Sequence, residues 1–242
     1  MSLVRRLHLS RNLPWLFDFY WQARFLLAIG YERFLMRREA GANRSHASNE
    51  WDFTSAAEQE RYRQVRAAIA GLFGSTRPAR VLELGCAQGL FTQSLAPLAG
   101  ELAGIDISAA ACALARQRCA SFHNVRIHQA DLFTVALPGP YSLILAMGVL
   151  QYVHGSGQHA QLARRLLAAL ETGGRLLINE VRLPERYEAS WWAGALVEGG
   201  AQYVEFLGRY PGFRRVHHQV FADHVIAIFE KTTSAPDSSG TA

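Results

Sequence analysis

The sequence predicts an α/β protein built on a doubly wound, mostly parallel sheet that finishes in an antiparallel hairpin. Three observations carry this expectation. From residue 79 onward, short apolar runs alternate with helical stretches, and strands that alternate with helices pair in parallel with helices on both faces. The last two runs, Phe213–Phe221 and His224–Lys231, are separated only by Ala222 and Asp223, a connection that suits a hairpin and is too short for a helical crossover. The first run, Val81–Leu84, passes straight into Gly85-Cys86-Ala87-Gln88-Gly89 before a helix begins at Leu90. Ligands of doubly wound sheets bind beyond the carboxyl ends of the strands.

The elements follow in order. Residues 1–50 read as an N-terminal helical arm and linker. Between Leu13 and Arg38 apolar residues fall at 16, 20, 23, 27, 31 and 34, which is helical spacing, and residues 39–50 carry the Gly, Asn and Ser of a linker. Thr54 or Ser55 can cap a helix over Ala56–Phe73. The domain proper spans 51–231. Its strands are expected at Val81–Leu84, Leu102–Asp106, Val125–His128, Leu143–Ala146 and Leu176–Asn179. Helices start at Leu90 and cover Ser108–Cys119 and Gly157–Leu170. The Ser/Pro/Gly/Thr-rich residues 232–242 are expected to be a disordered tail.

Composition excludes several functions. Half of the 242 residues are apolar and 19% are charged, so the chain can bury a sizeable core. The net charge of +5 sits in the arm, where eight arginines up to Arg44 face only Asp18, Glu32 and Glu39; the rest of the chain balances. A basic face for nucleic acid is therefore unsupported. Cys86, Cys112 and Cys119 have no metal-type spacing, so no metal is expected, and their odd number suits reduced thiols in a cytoplasmic protein. Cys112 and Cys119, seven apart on a predicted helix, share a face. Polar breaks after Arg5 and Arg6 argue against a secretory signal. The apolar stretch Phe25–Tyr31 is far short of the roughly 20 residues that span a bilayer.

The glycine loop alone is compatible with several nucleotide-like ligands. A dinucleotide fingerprint needs glycines at 85, 87 and 90, whereas the chain has Gly85, Ala87 and Leu90. The second strand narrows the choice. Asp106, 17 residues past Gly89, ends it with a carboxylate that can take both hydroxyls of a ribose, and Ile107 can cover an adenine face. After the third strand Asp131 and Leu132 bring a second carboxylate to the same edge, suited to the adenine amino group, with neighbouring backbone amides for a ring nitrogen.

This set resembles the class I S-adenosylmethionine-dependent methyltransferases. Their first motif, acidic-x-Gly-x-Gly-x-Gly, is matched by Glu83, Gly85, Ala87 and Gly89 with one departure at Ala87. Their ribose acid falls on Asp106 and their adenine acid on Asp131. Residues 141–153, YSLILAMGVLQYV, match their fourth strand and following loop. Residues 51–66 and the segment LELGCAQGLFT are similar to the branch around nodulation protein S, which methylates amino sugars of chitin-like oligosaccharides. The resemblance implies a seven-stranded, Rossmann-like methyltransferase sheet and S-adenosylmethionine as cofactor. It places the cofactor against Glu83, Gly85, Cys86, Ala87 and Gly89, with Ala146 and Met147 lining its methionine end. It also implies that Glu83 supports the loop and the methionine ammonium, and that Trp51 and the helix behind it close over the cofactor.

Methyl transfer from a sulfonium is an in-line displacement, so alignment of the two reactants supplies much of the catalysis. A base matters only where the acceptor must lose a proton early. Tyr152 and His154, after the fourth strand, and Glu180, at the end of the fifth, are the catalytic candidates; Glu180 could hold an amine acceptor. His217, His218 and His224 belong to the hairpin. The expected activity is methylation of an N or O atom of a small molecule, a sugar or glycoconjugate among the candidates. The alternatives are a natural-product or lipid O-methyltransferase and a catalytically silent cofactor-binding subunit. The aromatic arm reads as a lid or packing element, a peripheral membrane contact, or a contact between copies, leaving monomer and homodimer open.

Overall fold

A computed structural model describes residues 53–150, 153, 155–181 and 200–232 of the chain. The expectations for the arm and linker, Trp51, Tyr152, His154 and the tail beyond Thr232 fall outside these residues. Helix α1 (Ala56–Phe73) is capped by Ser55, whose hydroxyl accepts from the Glu58 amide at 3.3 Å. Then follow β1 (Arg80–Leu84), α2 (Leu90–Leu95), β2 (Glu101–Asp106), α3 (Ala109–Arg118), β3 (Val125–Gln129) and β4 (Tyr141–Met147). The second half holds α4 (Gly155–Ala169), β5 (Leu170–Val181), α5 (Gly200–Gly208), β6 (Phe213–Val220) and β7 (His224–Lys231).

The seven strands form one sheet in the order β3-β2-β1-β4-β5-β7-β6. Strands β1 to β5 are parallel, and β7 runs antiparallel to both β5 and β6. This is the predicted doubly wound sheet with a closing hairpin. Its order reverses between β1 and β4, which puts the switch point at their carboxyl ends.

Alternation along each strand divides the core into two layers. Val81, Leu143, Leu145, Leu177, Ile226 and Ile228 face α1, α2 and α3, and Tyr62, Val65 and Ile69 of α1 pack onto that side. Leu82, Leu84, Ile144, Ala146, Ile178 and Ala227 face α4 and α5. Nearly all these side chains are fully buried, and each Val, Leu or Ile among them stabilises the fold by about 1.5–3 kcal/mol.

Two elements differ from expectation. Strand β5 begins at Leu170 instead of Leu176 and follows α4 without a break, with Leu170 paired to Tyr141 and a register shift before Leu143. The intervening Glu171-Thr172-Gly173-Gly174 has turn composition, and Gly173 takes φ +75°, so local propensity hides a pairing that β4 imposes. Helix α5 was not foreseen. Tyr203, Val204 and Leu207 bury one stripe of it against the sheet, and tertiary packing overrides the glycines at both its ends.

Candidate active site

The glycine loop lies at the switch point. The amides of Gly85 and Cys86 both donate to the Ile105 carbonyl, at 2.8 and 3.0 Å, which folds the chain sharply off β1. Gly85, Ala87 and Gly89 all take left-handed backbone, with φ of +70°, +45° and +77°. At Gly89 a side chain is excluded twice, since a Cβ would also stand 2.9 Å from both Cα and Cβ of Ala115 in α3. At Gly85 a Cβ would meet Val149 at 2.9 Å. Ala87 is the one non-glycine with positive φ among the described residues.

Asp106 does more than the sequence implied. Its Oδ2 accepts from the Ala87 amide and its Oδ1 from the Ser108 amide, each at 2.9 Å. One carboxylate thus fixes the loop and the entry to α3, where the Ser108 hydroxyl caps by accepting from Ala111 at 3.2 Å. An ionised carboxylate offers about four acceptor sites, so two stay open. The Ala130 amide donates to the Asp106 carbonyl at 2.8 Å and brings Asp131 beside it. Asp131 is exposed and closes its own turn, Oδ1 accepting from the Phe133 amide at 2.8 Å. Ile107 and Leu132 are half-buried at the same edge. Cys86 is buried in the loop, and its side chain lies where a Cβ on Gly104 would fall.

Glu83 is buried beneath this loop at 3% exposure. Burial pushes its carboxyl up to about 7; the Thr92 side chain offsets part of this, and the Asp106 charge adds to it. Thr92 stands close, yet neither Glu83 Oε2 nor Thr92 Oγ1 completes a hydrogen bond of normal geometry. A buried carboxylate oxygen without a donor is expensive.

The edge continues at the end of β4. Ala146 is buried, while Met147 and Gly148 are half-buried. The Gly148 amide donates to the Asn179 carbonyl at 2.9 Å, joining the ends of β4 and β5. Arg61 reaches this point from α1. Its Nε and Nη2 donate to Asn179 Oδ1 at 3.2 and 3.0 Å, and its Nη1 pairs with Glu58 at 2.6 Å. A Cβ on Gly148 would lie 4.0 Å from Arg61 Nη2. The guanidinium, 11% exposed, therefore faces the cleft over Gly148.

Glu180, the candidate for holding an acceptor, is fully buried, and its Oε1 accepts from the amides of Val149 and Leu150 at 3.0 and 2.9 Å. This one oxygen takes both amides of the backbone that follows β4. Tyr152 and His154 lie outside the described residues, but the residue between them, Val153, is held by the buried His159, whose Nε2 lies 3.2 Å from the Val153 carbonyl. In the hairpin, His224 is buried with Nδ1 2.7 Å from Asp223, stacked on Phe221. Among the described residues no group of acidic, histidine or cysteine side chains could hold a metal. No helix among them is long and apolar enough to cross a membrane.

The family model described as Nodulation protein S (NodS) matches residues 34–201. The chain belongs to the NodS family. Nodulation protein S of Bradyrhizobium diazoefficiens is 30% identical over 129 residues, 53% of this chain and 60% of that protein. Demethylmenaquinone methyltransferase of Tropheryma whipplei is 32% identical over 133 residues, 52% of each chain. The chain thus spans little more than half the length of these curated relatives. The crystal structure of the N-methyltransferase NodS from Bradyrhizobium japonicum WM9 with S-adenosyl-L-homocysteine superposes with a TM-score of 0.65 at 24% identity, covering 81% of this chain and 96% of that one. The two share the fold.

The loop, Asp106 and Asp131 are visible in the sequence, whereas the Arg61–Asn179 pair is not. Their contact spans 118 positions. Helix α1 carries Arg61, Arg63 and Arg66, and nothing local to the sequence says which of them turns toward the cleft.

Proposed function

We propose that this NodS-family protein transfers a methyl group from S-adenosylmethionine to an N or O atom of a small molecule, with an amino sugar as the first acceptor to test. One observation carries the reading. The left-handed loop over Gly85–Gly89 is pinned by Asp106 and lies above a buried, undonated Glu83 oxygen. The residues fit the cofactor by their chemistry. Asp106 keeps acceptor capacity for the ribose, and Asp131 with Ile107 and Leu132 suits an adenine. The Glu83 carboxylate lacks a donor that an ammonium would supply. Arg61, held by Glu58 and Asn179, presents a cation suited to the methionine carboxylate.

The bound cofactor would supply an electrophilic methyl on a sulfonium, and the protein's part is placement. Glu83 becomes fully ionised when a cation arrives beside it, because an opposite charge favours the charged form. Asp106 and the loop amides fix the nucleoside. Glu180 Oε1 holds the amides of Val149 and Leu150 in place after β4. The free, buried thiols of Cys86, Cys112 and Cys119 support a reducing, cytoplasmic setting.

Calorimetry with S-adenosylhomocysteine, followed by labelled S-adenosylmethionine with glucosamine oligosaccharides, tests the reading. Binding with label on the sugar amine supports it. Absence of S-adenosylhomocysteine binding sinks it, and binding without transfer to sugars, lipids or other amines would favour the silent subunit.

A further inference from the structure

The end of β5 is built as a two-sided hub. Strand alternation sends consecutive residues to opposite faces, and Asn179 and Glu180 use both. Asn179 holds Arg61 on the α1 side at 3.0 Å, while Glu180 holds the backbone after β4 on the other. Gly148, with φ +62°, turns the chain so that the next two N–H groups converge on one oxygen. Such successive amides form an anion-binding concavity, filled here by the protein's own carboxylate.

The held turn borders the cofactor loop. Val149 packs where a Gly85 Cβ would come within 2.9 Å of its Cγ2 and 3.0 Å of its Cβ. The position of Val149 therefore sets how the Gly85 turn lies. Leu150 is anchored in the core and accepts from the Val153 amide at 2.9 Å. Removing a carboxylate wholly from water costs several kcal/mol unless donors compensate. A turn that needed only a hydrogen-bond acceptor could use water or a neutral side chain.

We propose that Glu180 is a positioning residue for the methionine end of the cofactor: it fixes Gly148–Leu150 against Gly85 and so sets the shape of the loop that receives the ligand. The inference rests on the methyltransferase reading. Glu180 acts on the loop through Val149. A carboxylate that merely stabilised the fold would lower thermal stability and leave ligand affinity alone wherever the protein is folded.

The test uses the full chain and S-adenosylhomocysteine as probe, in a cycle of Glu180→Gln, Val149→Ala and the double variant. Each single variant is expected to weaken S-adenosylhomocysteine binding about 3- to 10-fold at a temperature where all are folded. The double variant should lose little more than either, because residues acting through one contact are not additive. Hydrogen exchange should speed up at the Val149 and Leu150 amides in Glu180→Gln and stay unchanged across Leu143–Ala146 of β4. In Glu180→Ala, which leaves both amides without an acceptor, the same two amides should exchange faster still and affinity should fall further. Additive losses, unchanged affinity in Glu180→Gln, or exchange that rises uniformly through the sheet would each overturn the proposal. Wild-type protein that failed to bind S-adenosylhomocysteine would instead remove the underlying reading.

Discussion

The two halves of the carboxyl edge are built differently. On the β1–β2–β3 side the site consists of backbone: left-handed turns, amides on a carbonyl, and one carboxylate pinning two N–H groups. On the β4–β5 side it consists of side chains joined across long stretches of sequence, Arg61 to Asn179 and Glu180 to Val149. A backbone site restricts residue type at fixed spacing, because few residues fit a positive φ or a close approach. A side-chain site restricts only what meets in space. The first half should break under small steric changes, and the second under loss of charge.

The largest effect is expected at Gly89. In Gly89→Ala the new methyl would meet the Ala115 backbone at 2.9 Å with φ at +77°. Left-handed backbone alone costs an L-residue about 1–2 kcal/mol, and the clash with a packed helix adds to it. Thermal unfolding should show a loss of roughly 2–4 kcal/mol, and S-adenosylhomocysteine binding should vanish. Binding within threefold of wild type would mean that the loop is not where the cofactor sits.

Next comes Arg61→Met, which keeps the aliphatic stem and removes the charge. Hydrogen bonds to charged groups contribute about 1.5–3 kcal/mol, so S-adenosylhomocysteine affinity should fall roughly 10- to 100-fold. The companion probe is 5′-methylthioadenosine, which lacks the amino-acid end. Its affinity should be unchanged by the substitution. An equal loss for both probes would place Arg61 in a general structural role and erase its difference from the loop half.

How much was legible follows the same division. Glu83, Gly85, Gly89 and Asp106 could be found because turn chemistry and strand ends dictate residue type at short range. The terminal hairpin was legible because so short a connection between strands permits little else. Arg61 gave no signal, since a helix with three arginines does not announce its buried one. Glu180 was legible as an acid at a strand end, but its partners were not: only the fold shows Val149 and Leu150 turning their amides toward it. Strand β5 before Leu176 was hidden by turn-forming residues whose pairing with Tyr141 is tertiary.

The third effect separates the halves by pH. The Glu83 carboxyl in the free protein is raised to about 7, chiefly by burial, so the folded state holds a proton that the unfolded state releases near 4.5. Stability of the free protein therefore falls as pH rises from about 4.5 to 7, by up to about 3 kcal/mol, and levels off above. A bound ammonium favours the ionised form and reverses the penalty, so S-adenosylhomocysteine binding should release a proton near neutrality. Affinity should then weaken by up to about tenfold per unit below pH 7. Calorimetry in buffers of different ionisation enthalpy measures the released proton directly. Glu83→Gln should bind more weakly at pH 8 and show no such pH dependence. Arg61→Met should keep it in full, and a Glu83→Gln variant with the wild-type slope would locate the titrating group elsewhere.

The smallest effect should come from Ala87→Gly. Ala87 sits at φ +45° with its amide held by Asp106 at 2.9 Å, a conformation an alanine adopts only at a cost of about 1 kcal/mol. Glycine removes that strain, but it also loses about 0.4–1 kcal/mol through the greater freedom of the unfolded chain. The two nearly cancel, so thermal stability should change by less than about 1 kcal/mol. The loop geometry should be preserved, because the position already has the backbone that glycine prefers. S-adenosylhomocysteine affinity is therefore expected to stay within about twofold of wild type, whereas Ala87→Val, with a branched side chain at positive φ, should destabilise the loop and weaken binding. If Ala87→Gly lost affinity as strongly as Ala87→Val, the alanine methyl itself would be a ligand contact, and the backbone half of the site would carry side-chain recognition after all.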